Sequence, residues 1–114
     1  YTAMPYNSAV FSFIETRLFT KLVKQYLSDE SYSELQAELM ANPNMGAVIR
    51  GSGGVRKIRW AAEGRGKRGG YRVIYFVRNE HGVIWMLTMY SKNVADSIPG
   101  HVLQQIREEI ESDG

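Results

Sequence analysis

The sequence has no cysteine, no long apolar run and, in one segment, almost no acidic residues. The absence of cysteine excludes a disulfide scaffold and a cysteine-ligated zinc site, and it fits the reducing cytoplasm, where we expect the protein to act. No apolar run approaches the ~20 residues of a membrane-spanning helix, so we expect no membrane association. The first residues show no basic stretch followed by an apolar region, so no signal peptide is predicted.

Acidic residues are scarce between Arg56 and Arg72, where the sequence reads RKIRWAAEGRGKRGGYR. This segment holds seven of the fourteen lysines and arginines and a single acid, Glu63, which gives a net charge of +6. The other 97 residues hold seven bases and eleven acids, a net charge of −4. Positive charge concentrated in this way indicates a local binding site for a polyanion, and phosphodiester is the commonest polyanion.

The composition is that of a folded globular protein, with 44% hydrophobic and 11% aromatic residues. A chain of 114 residues forms one domain with a modest core. We place this domain at residues 9–114, after an N-terminal tail at residues 1–8. Tyr1 to Ala3 precede Met4, and we interpret them as residues that stand ahead of the native start.

Apolar periodicity and turn residues predict four strands and three helices in the order β-α-α-β-β-β-α. The last strand is apolar on both faces, so we expect it in the interior of the sheet. Residues 43–54 are rich in turn formers, which is typical of a connector. The strands are predicted at 9–14, 55–61, 71–78 and 83–90, and the helices begin after Thr16, after Ser28 and at Pro99.

The basic residues follow a pattern that strands would convert into a patch. Residues two apart in a strand share a face, so Lys57 and Arg59 are expected to point one way. Ile58 and Trp60 are then expected to point the other way, into the core. If the last three strands are neighbours, five side chains collect in one patch: Lys57, Arg59, Arg72, Tyr90 and Lys92.

Such a patch can cleave a phosphodiester by means of the RNA's own 2′-OH. The reaction needs a base for the 2′ proton, positive charge beside the phosphorane, and an acid for the 5′-leaving oxygen. Lysine can act as a base, arginine binds phosphate in a bidentate manner, and tyrosine stacks on a nucleobase or assists proton transfer. The chemistry needs no metal or cofactor. The residues alone leave open catalysis, nucleic-acid binding without catalysis, and a charged loop without a ligand.

The stretch VRKIRWAAEGRGKRGGYRVIYFV, followed by a hairpin and LTMYSKN, resembles the RelE superfamily of bacterial type II toxins, and within it the HigB-like branch. The upstream YLSDESYSELQAELMANPNMGAVIRGSGG is similar to the two helices and the glycine-rich connector of that branch. The resemblance covers about residues 9–110. It implies an α+β fold, in which a small, mostly antiparallel sheet has two N-terminal helices packed on one face and a C-terminal helix.

The resemblance also implies a function and partners. Toxins of this kind enter the A site of the ribosome and cut mRNA between codon positions, which leaves a 2′,3′-cyclic phosphate and inhibits translation. A cognate antitoxin neutralises the toxin, and we expect one of the helix-turn-helix, HigA-like type.

The resemblance assigns roles to individual residues. Lys57 and Arg59 match the paired bases of the family's second strand, and Arg72 matches the arginine of its GYR strand. Tyr90 matches an aromatic position of the branch, and Lys92 matches a basic position after the last strand. These five residues are expected to be catalytic. Four further residues are expected to bind messenger or ribosomal RNA: Arg56, Arg65, Lys67 and Arg68.

The sequence departs from the family in three respects. A C-terminal tyrosine of some relatives has no counterpart (Ile98 lies near its place), the histidine pair of other members is missing, and the basic loop is longer. The identity of the general base therefore stays open among Lys57, Arg59 and Tyr90. Two other functions stay open as well, a ParE-like gyrase poison of the same fold and an RNA-binding module without catalysis.

Overall fold

The computed structural model describes residues 11–61, 70–91, 103–104 and 106–108, so the predicted tail at 1–8 lies outside the described residues. The elements in chain order are β1 (Ser12–Glu15), α1 (Arg17–Tyr26), α2 (Asp29–Ala41), β2 (Ala47–Val48), β3 (Arg56–Trp60), β4 (Tyr71–Arg78), a 3-10 turn (Asn79–His81) and β5 (Val83–Ser91). The five strands form one sheet in the order β1-β5-β4-β3-β2. The predicted α+β class is confirmed.

The sheet is antiparallel except at one edge, where β1 runs parallel to β5. This confirms the expected, mostly antiparallel arrangement, and β5 is interior as its two apolar faces predicted. Strand β2 was not predicted, because the turn-forming residues at 43–54 indicate a connector throughout. A strand of two residues, Ala47–Val48, is too short to show the alternation by which strands are recognised.

Helices α1 and α2 begin after Thr16 and Ser28, as predicted, and both residues cap their helix. The Thr16 hydroxyl accepts a hydrogen bond from the Phe19 N–H at 3.0 Å, and the Ser28 hydroxyl accepts one from the Ser31 N–H at 3.0 Å. Thr16 also donates to the Leu87 carbonyl at 2.7 Å. The first cap therefore fixes the start of α1 against strand β5 as well as satisfying its free N–H groups.

Both helices pack on one side of the sheet, which we call the helix face. Phe19 of α1 and Leu35 of α2 are fully buried there. They pack with the strand side chains of the same cluster, which include Ile58, Val73 and Tyr75. The predicted packing of two N-terminal helices on one face is confirmed.

A second apolar cluster covers part of the opposite side of the sheet. Ile74 and Phe76 of β4 lie in it with Leu87 of β5. The described residues of the predicted C-terminal helix, at 103–104 and 106–108, are helical, and Leu103 is fully buried in this cluster. The sheet is thus covered by α1 and α2 on the helix face, and the second cluster, with Leu103, covers part of the opposite side.

A β-bulge interrupts the pairing of β4 with β5. Tyr75 pairs with Met86 and Ile74 pairs with Thr88, so Leu87 is an extra residue on β5. A bulge of this kind shifts the alternation of the strand by one residue. As a result, the residues of β5 beyond Leu87 face the opposite way from what strict alternation predicts.

The edge of the sheet at β2 is held by a buried phenol. The Tyr75 hydroxyl accepts a hydrogen bond from the Gly46 N–H at 2.9 Å and donates one to the Pro43 carbonyl at 2.8 Å. A Cβ at position 46 would clash with the Ile58 side chain and approach the Tyr75 hydroxyl to 2.9 Å. The close approach of this segment to the core therefore requires glycine at position 46.

We expect Gly46→Ala to lower the free energy of unfolding by about 1–3 kcal/mol, because the added methyl overpacks a site closed by Ile58. Urea unfolding of the two proteins measures this difference. Gly51→Ala is the comparison, since a Cβ there meets nothing within 4 Å and only its φ of +75° is strained. An unchanged unfolding midpoint for Gly46→Ala would show that the segment can shift at no cost.

Candidate nucleic-acid site

Three of the predicted site residues form a row across three neighbouring strands. Arg59 of β3 lies opposite Arg72 of β4, and Arg72 lies opposite Tyr90 of β5. Side chains directly opposite each other on one sheet face have Cβ atoms about 5 Å apart. The pairing of the strands therefore brings together residues that are as far apart as positions 59 and 90 in the sequence.

Lys57 lies on the same face, one step along β3. It pairs with Ile74, and a diagonal neighbour of this kind lies roughly 7–8 Å from Arg72. Ile58 is buried on the helix face and Trp60 packs against the same cluster, so the predicted alternation of β3 is confirmed. We call the surface formed by Lys57, Arg59, Arg72 and Tyr90 the cationic face.

The bulge at Leu87 places Tyr90 on the cationic face. Met86 lies on the helix face, and strict alternation would put Tyr90, four residues later, on that face too. The extra residue reverses the direction, so Met89 is buried in the helix-face core and Tyr90 is opposite Arg72. The composition of the site thus depends on one irregularity in the sheet.

The guanidinium of Arg72 has an unsatisfied nitrogen. Its Nη1 atom is buried and has no hydrogen-bond partner among the described residues. Leaving a buried donor without a partner costs about 1–3 kcal/mol, and more for a charged group. Arg59 lies directly beside it, so two positive groups repel each other where an anion would stabilise both. The row therefore has the charge and the free donor that an oxyanion or a phosphate oxygen needs.

Tyr90 presents a largely enclosed phenol to this row. Its side chain is only 9% exposed. Burial raises the pKa of the Tyr90 hydroxyl above its ordinary value, and the positive charge of Arg72 lowers it by a smaller amount. Tyr90 therefore keeps its proton at neutral pH, and it can donate a hydrogen bond to a negatively charged ligand.

Arg56 lies apart from the cationic face. It pairs with Tyr75, a helix-face residue, and its Nη1 atom donates to the Gly46 carbonyl at 2.6 Å and to the Asn44 carbonyl at 3.1 Å. These bonds tie the guanidinium to the backbone at the β2 edge. That Arg56 contacts RNA stays a prediction. Its hydrogen bonds indicate that it stabilises the β2 edge of the sheet.

The other predicted site residues lie outside the described residues. This group comprises one expected catalytic residue and three expected RNA contacts: Lys92, Arg65, Lys67 and Arg68. Their roles stay predictions. Within the described part of the chain, no three His, Cys, Asp or Glu side chains group as metal ligands would.

Thr88 is a further residue beside the site that was not predicted from the sequence. It pairs with Ile74, two residues along β5 from Tyr90, and its side chain is 8% exposed on the cationic side of the sheet. The hydroxyl adds a neutral donor and acceptor beside the row. No signal in the sequence could have identified it, because strict alternation assigns Thr88 to the face of Met86.

The fold and the site together define a small α+β protein with two arginines, a lysine and a protonated phenol on one face of its sheet. Residues 11–111 match the model of a protein family described as the RelE toxin of the RelE/RelB toxin–antitoxin system. The chain belongs to the RelE toxin family of toxin–antitoxin systems. The predicted superfamily is confirmed, and the assignment to its HigB-like branch stays a prediction.

A solved structure supports the fold independently. The chain is similar to the toxin RelE of E. coli, which was solved as a mutant in the free state, with a TM-score of 0.59. The two share 18% of their residues over 86% of this chain and 97% of the other. No helix in the described part of this chain is long and apolar enough to cross a membrane.

Proposed function

We propose that this toxin is a ribosome-dependent mRNA endonuclease that inhibits translation and is neutralised by a cognate antitoxin. The observation that carries the proposal is the row of Arg59, Arg72 and Tyr90, in which the buried Nη1 atom of Arg72 has no hydrogen-bond partner among the described residues. The proposal also draws on membership of the RelE toxin family. It places the protein in the cytoplasm, where ribosomes and mRNA are found.

In the proposed reaction the 2′-oxygen of the mRNA attacks the adjacent phosphorus while a base takes the 2′ proton. The bond from phosphorus to the 5′-oxygen breaks, and an acid gives that oxygen a proton. The products are a 2′,3′-cyclic phosphate and a 5′-hydroxyl. Arg72 and Arg59 are proposed to bind the non-bridging oxygens, whose negative charge grows as the phosphorane forms.

Arginine keeps its proton in proteins, so Arg59 and Arg72 are proposed to bind phosphate oxygens. Burial raises the pKa of the Tyr90 hydroxyl, and Tyr90 is proposed to act as a hydrogen-bond donor. We propose Lys57, the remaining candidate of the cationic face, as the base. Lys92, which follows the last residue of β5 in the sequence, remains a proposed catalytic residue without a described position.

The cationic face offers a physical reason for the proposed dependence on the ribosome. Cations and a phenol bind the phosphate of any nucleotide, and they do not by themselves align the 2′-oxygen with the leaving group. Alignment of reacting atoms supplies a large part of a rate enhancement. We propose that mRNA held in the ribosomal A site arrives in the aligned geometry, which free RNA adopts only rarely.

We expect purified toxin to cut mRNA in a bacterial translation extract only when ribosomes are present. Primer extension maps the cut sites, and the same mRNA without ribosomes is the control. Cuts in both reactions would indicate a free ribonuclease. Intact mRNA in both, with the protein shown to be folded, would contradict the proposed function.

Two alternatives predict different results. A ParE-like gyrase poison would cause DNA damage with intact mRNA, and an RNA-binding module would show steep salt-dependent binding without cleavage. The Arg72 Nη1 atom, which has no partner among the described residues, favours the nuclease, because a donor held in one place suits an oxyanion that forms at a defined point. A helix-turn-helix, HigA-like antitoxin is part of the proposal, and co-purification of the toxin with the product of an adjacent gene tests it.

A further inference from the structure

The two helices on the helix face carry opposite charges. Helix α1 contains three bases and no acid, and helix α2 contains four acids and no base. The bases are Arg17, Lys21 and Lys24, and the acids are Asp29, Glu30, Glu34 and Glu38. Neither group of charged residues belongs to the cationic face, because both helices lie on the other side of the sheet.

The bases of α1 form one continuous surface. Positions 17, 21 and 24 are spaced by four and three residues, which places them on the same side of a helix. All three side chains are exposed. They span about 10 Å along the helix axis at ~1.5 Å per residue. We call the set of Arg17, Lys21 and Lys24 the α1 basic surface.

No described carboxylate neutralises this surface through an ion pair. Glu15, the nearest acid in sequence, accepts hydrogen bonds from the hydroxyls of Thr20 and Tyr32. Asp29 lies near Lys24 in the wall of a shallow cavity of about 180 Å³, without a salt bridge to it. Residues 1–10 contain no charged side chain at all. Within the described part of the chain, the positive charge of α1 is therefore left for a partner.

We propose that the α1 basic surface binds phosphates of ribosomal RNA, as a second RNA contact separate from the cationic face. This inference rests on the proposed function and concerns how the toxin is held on the ribosome. The mRNA strand bound at the cationic face cannot also supply this contact, because the sheet and its buried side chains separate the two surfaces. A folded RNA that surrounds the protein can reach both.

The arrangement of charge favours RNA over a protein partner. Three flexible cations without an acid among them match the regular negative charge of an RNA backbone. The exposed acids of α2, beside α1, would repel RNA that approached from their side, so they restrict the orientation in which the toxin can dock. Leu18, which is 53% exposed, is the exposed large apolar side chain of α1 that a protein partner could use instead.

The test compares two triple variants with the wild-type protein. One carries Arg17→Gln, Lys21→Gln and Lys24→Gln, and the matched control carries Glu30→Gln, Glu34→Gln and Glu38→Gln in α2. Glutamine is a good helix former, so both helices should persist, which circular dichroism checks. Binding to purified bacterial ribosomes is measured by co-sedimentation between about 50 and 200 mM salt, the range over which phosphate contacts weaken strongly.

We expect the α1 variant to bind ribosomes roughly tenfold or more weakly than wild type. The slope of log affinity against log salt should fall by about 2–3, since each lost phosphate contact removes ~0.7–0.9. The cleavage rate at saturating toxin should stay unchanged, because the cationic face is intact. The α2 control should bind as tightly as wild type or more tightly.

Each contrary outcome has a distinct meaning. Wild-type affinity and salt slope in the folded α1 variant would overturn the inference. So would a loss of antitoxin affinity with unchanged ribosome binding, which would make the surface a protein-docking site. If wild type binds ribosomes through α1 but leaves mRNA intact, the inference stands and the proposed nuclease function fails.

Discussion

Replacement of Arg72 by alanine is expected to lower the rate of ribosome-dependent mRNA cleavage by roughly 10²–10³-fold or more. The Nη1 atom of Arg72 is a buried donor with no partner among the described residues, and Arg72 is proposed to stabilise the negative charge that develops on the phosphate. Alanine removes this donor and one positive charge from the centre of the row. Single-turnover cleavage on programmed ribosomes, followed by primer extension, measures the effect.

The loss of rate at Arg72 should not come from unfolding. A buried donor without a partner opposes folding, so its removal is expected to leave the stability unchanged or slightly higher. Arg78→Ala is the matched control, because it removes an equal charge from a half-buried arginine six residues further along β4. Equal losses in the two variants would indicate a net-charge effect, and full activity of folded Arg72→Ala would contradict the proposed site.

Arg72→Lys separates charge from geometry at the same position. Lysine keeps the positive charge but replaces the planar fork of guanidinium donors with a single ammonium group. We therefore expect a rate between those of wild type and Arg72→Ala. A lysine variant as fast as wild type would show that charge alone is sufficient, and the unpaired Nη1 atom would then have no special part.

The strands that follow strict alternation could be predicted from the sequence. Lys57 and Arg59 are separated by a core residue, Ile58, and nothing interrupts β3 between them. Their common face therefore follows from the period of two residues alone. The face on which Arg72 lies follows in the same way from the sequence, provided that β3 and β4 are antiparallel neighbours in the sheet.

The position of Tyr90 could not be derived from alternation. The predicted patch includes Tyr90, and the register places Tyr90 opposite Arg72, whereas strict alternation from Met86 leads to the helix face. Only the extra residue Leu87, which no composition rule marks, turns Tyr90 towards Arg72. The register of a strand and the position of a bulge depend on how the whole strand packs against its neighbours. They therefore cannot be predicted from a local sequence pattern.

For Arg56, the position in the sequence suggests one role and the hydrogen bonds in the fold indicate another. It stands next to Lys57 in a run of bases, so composition groups it with the RNA-binding residues. In a strand, adjacent residues point to opposite faces. The Arg56 guanidinium donates hydrogen bonds to the carbonyls of Asn44 and Gly46. These two residues lie at the β2 edge of the sheet, which was not predicted from the sequence.

Replacement of Tyr90 by phenylalanine is expected to lower the cleavage rate by roughly 10²–10³-fold, because it removes a pre-positioned hydrogen-bond donor beside Arg72. Tyr71→Phe is the matched control. Tyr71 adjoins Arg72 on β4 but packs on the helix face, where its ring stacks on Tyr26 at 4.7 Å. We expect that variant to cleave at the wild-type rate.

The pH dependence decides which form of Tyr90 acts. Burial raises the pKa of its hydroxyl, so the donor is present below the ordinary tyrosine value of ~10 and is lost only above it. The ratio of wild-type to Tyr90→Phe rates should therefore stay constant between about pH 6 and 9. If Tyr90 acted as the general base, only its rare ionised form would be active, and the ratio would rise about tenfold per pH unit. Such a rise would transfer the role of base from Lys57 to Tyr90.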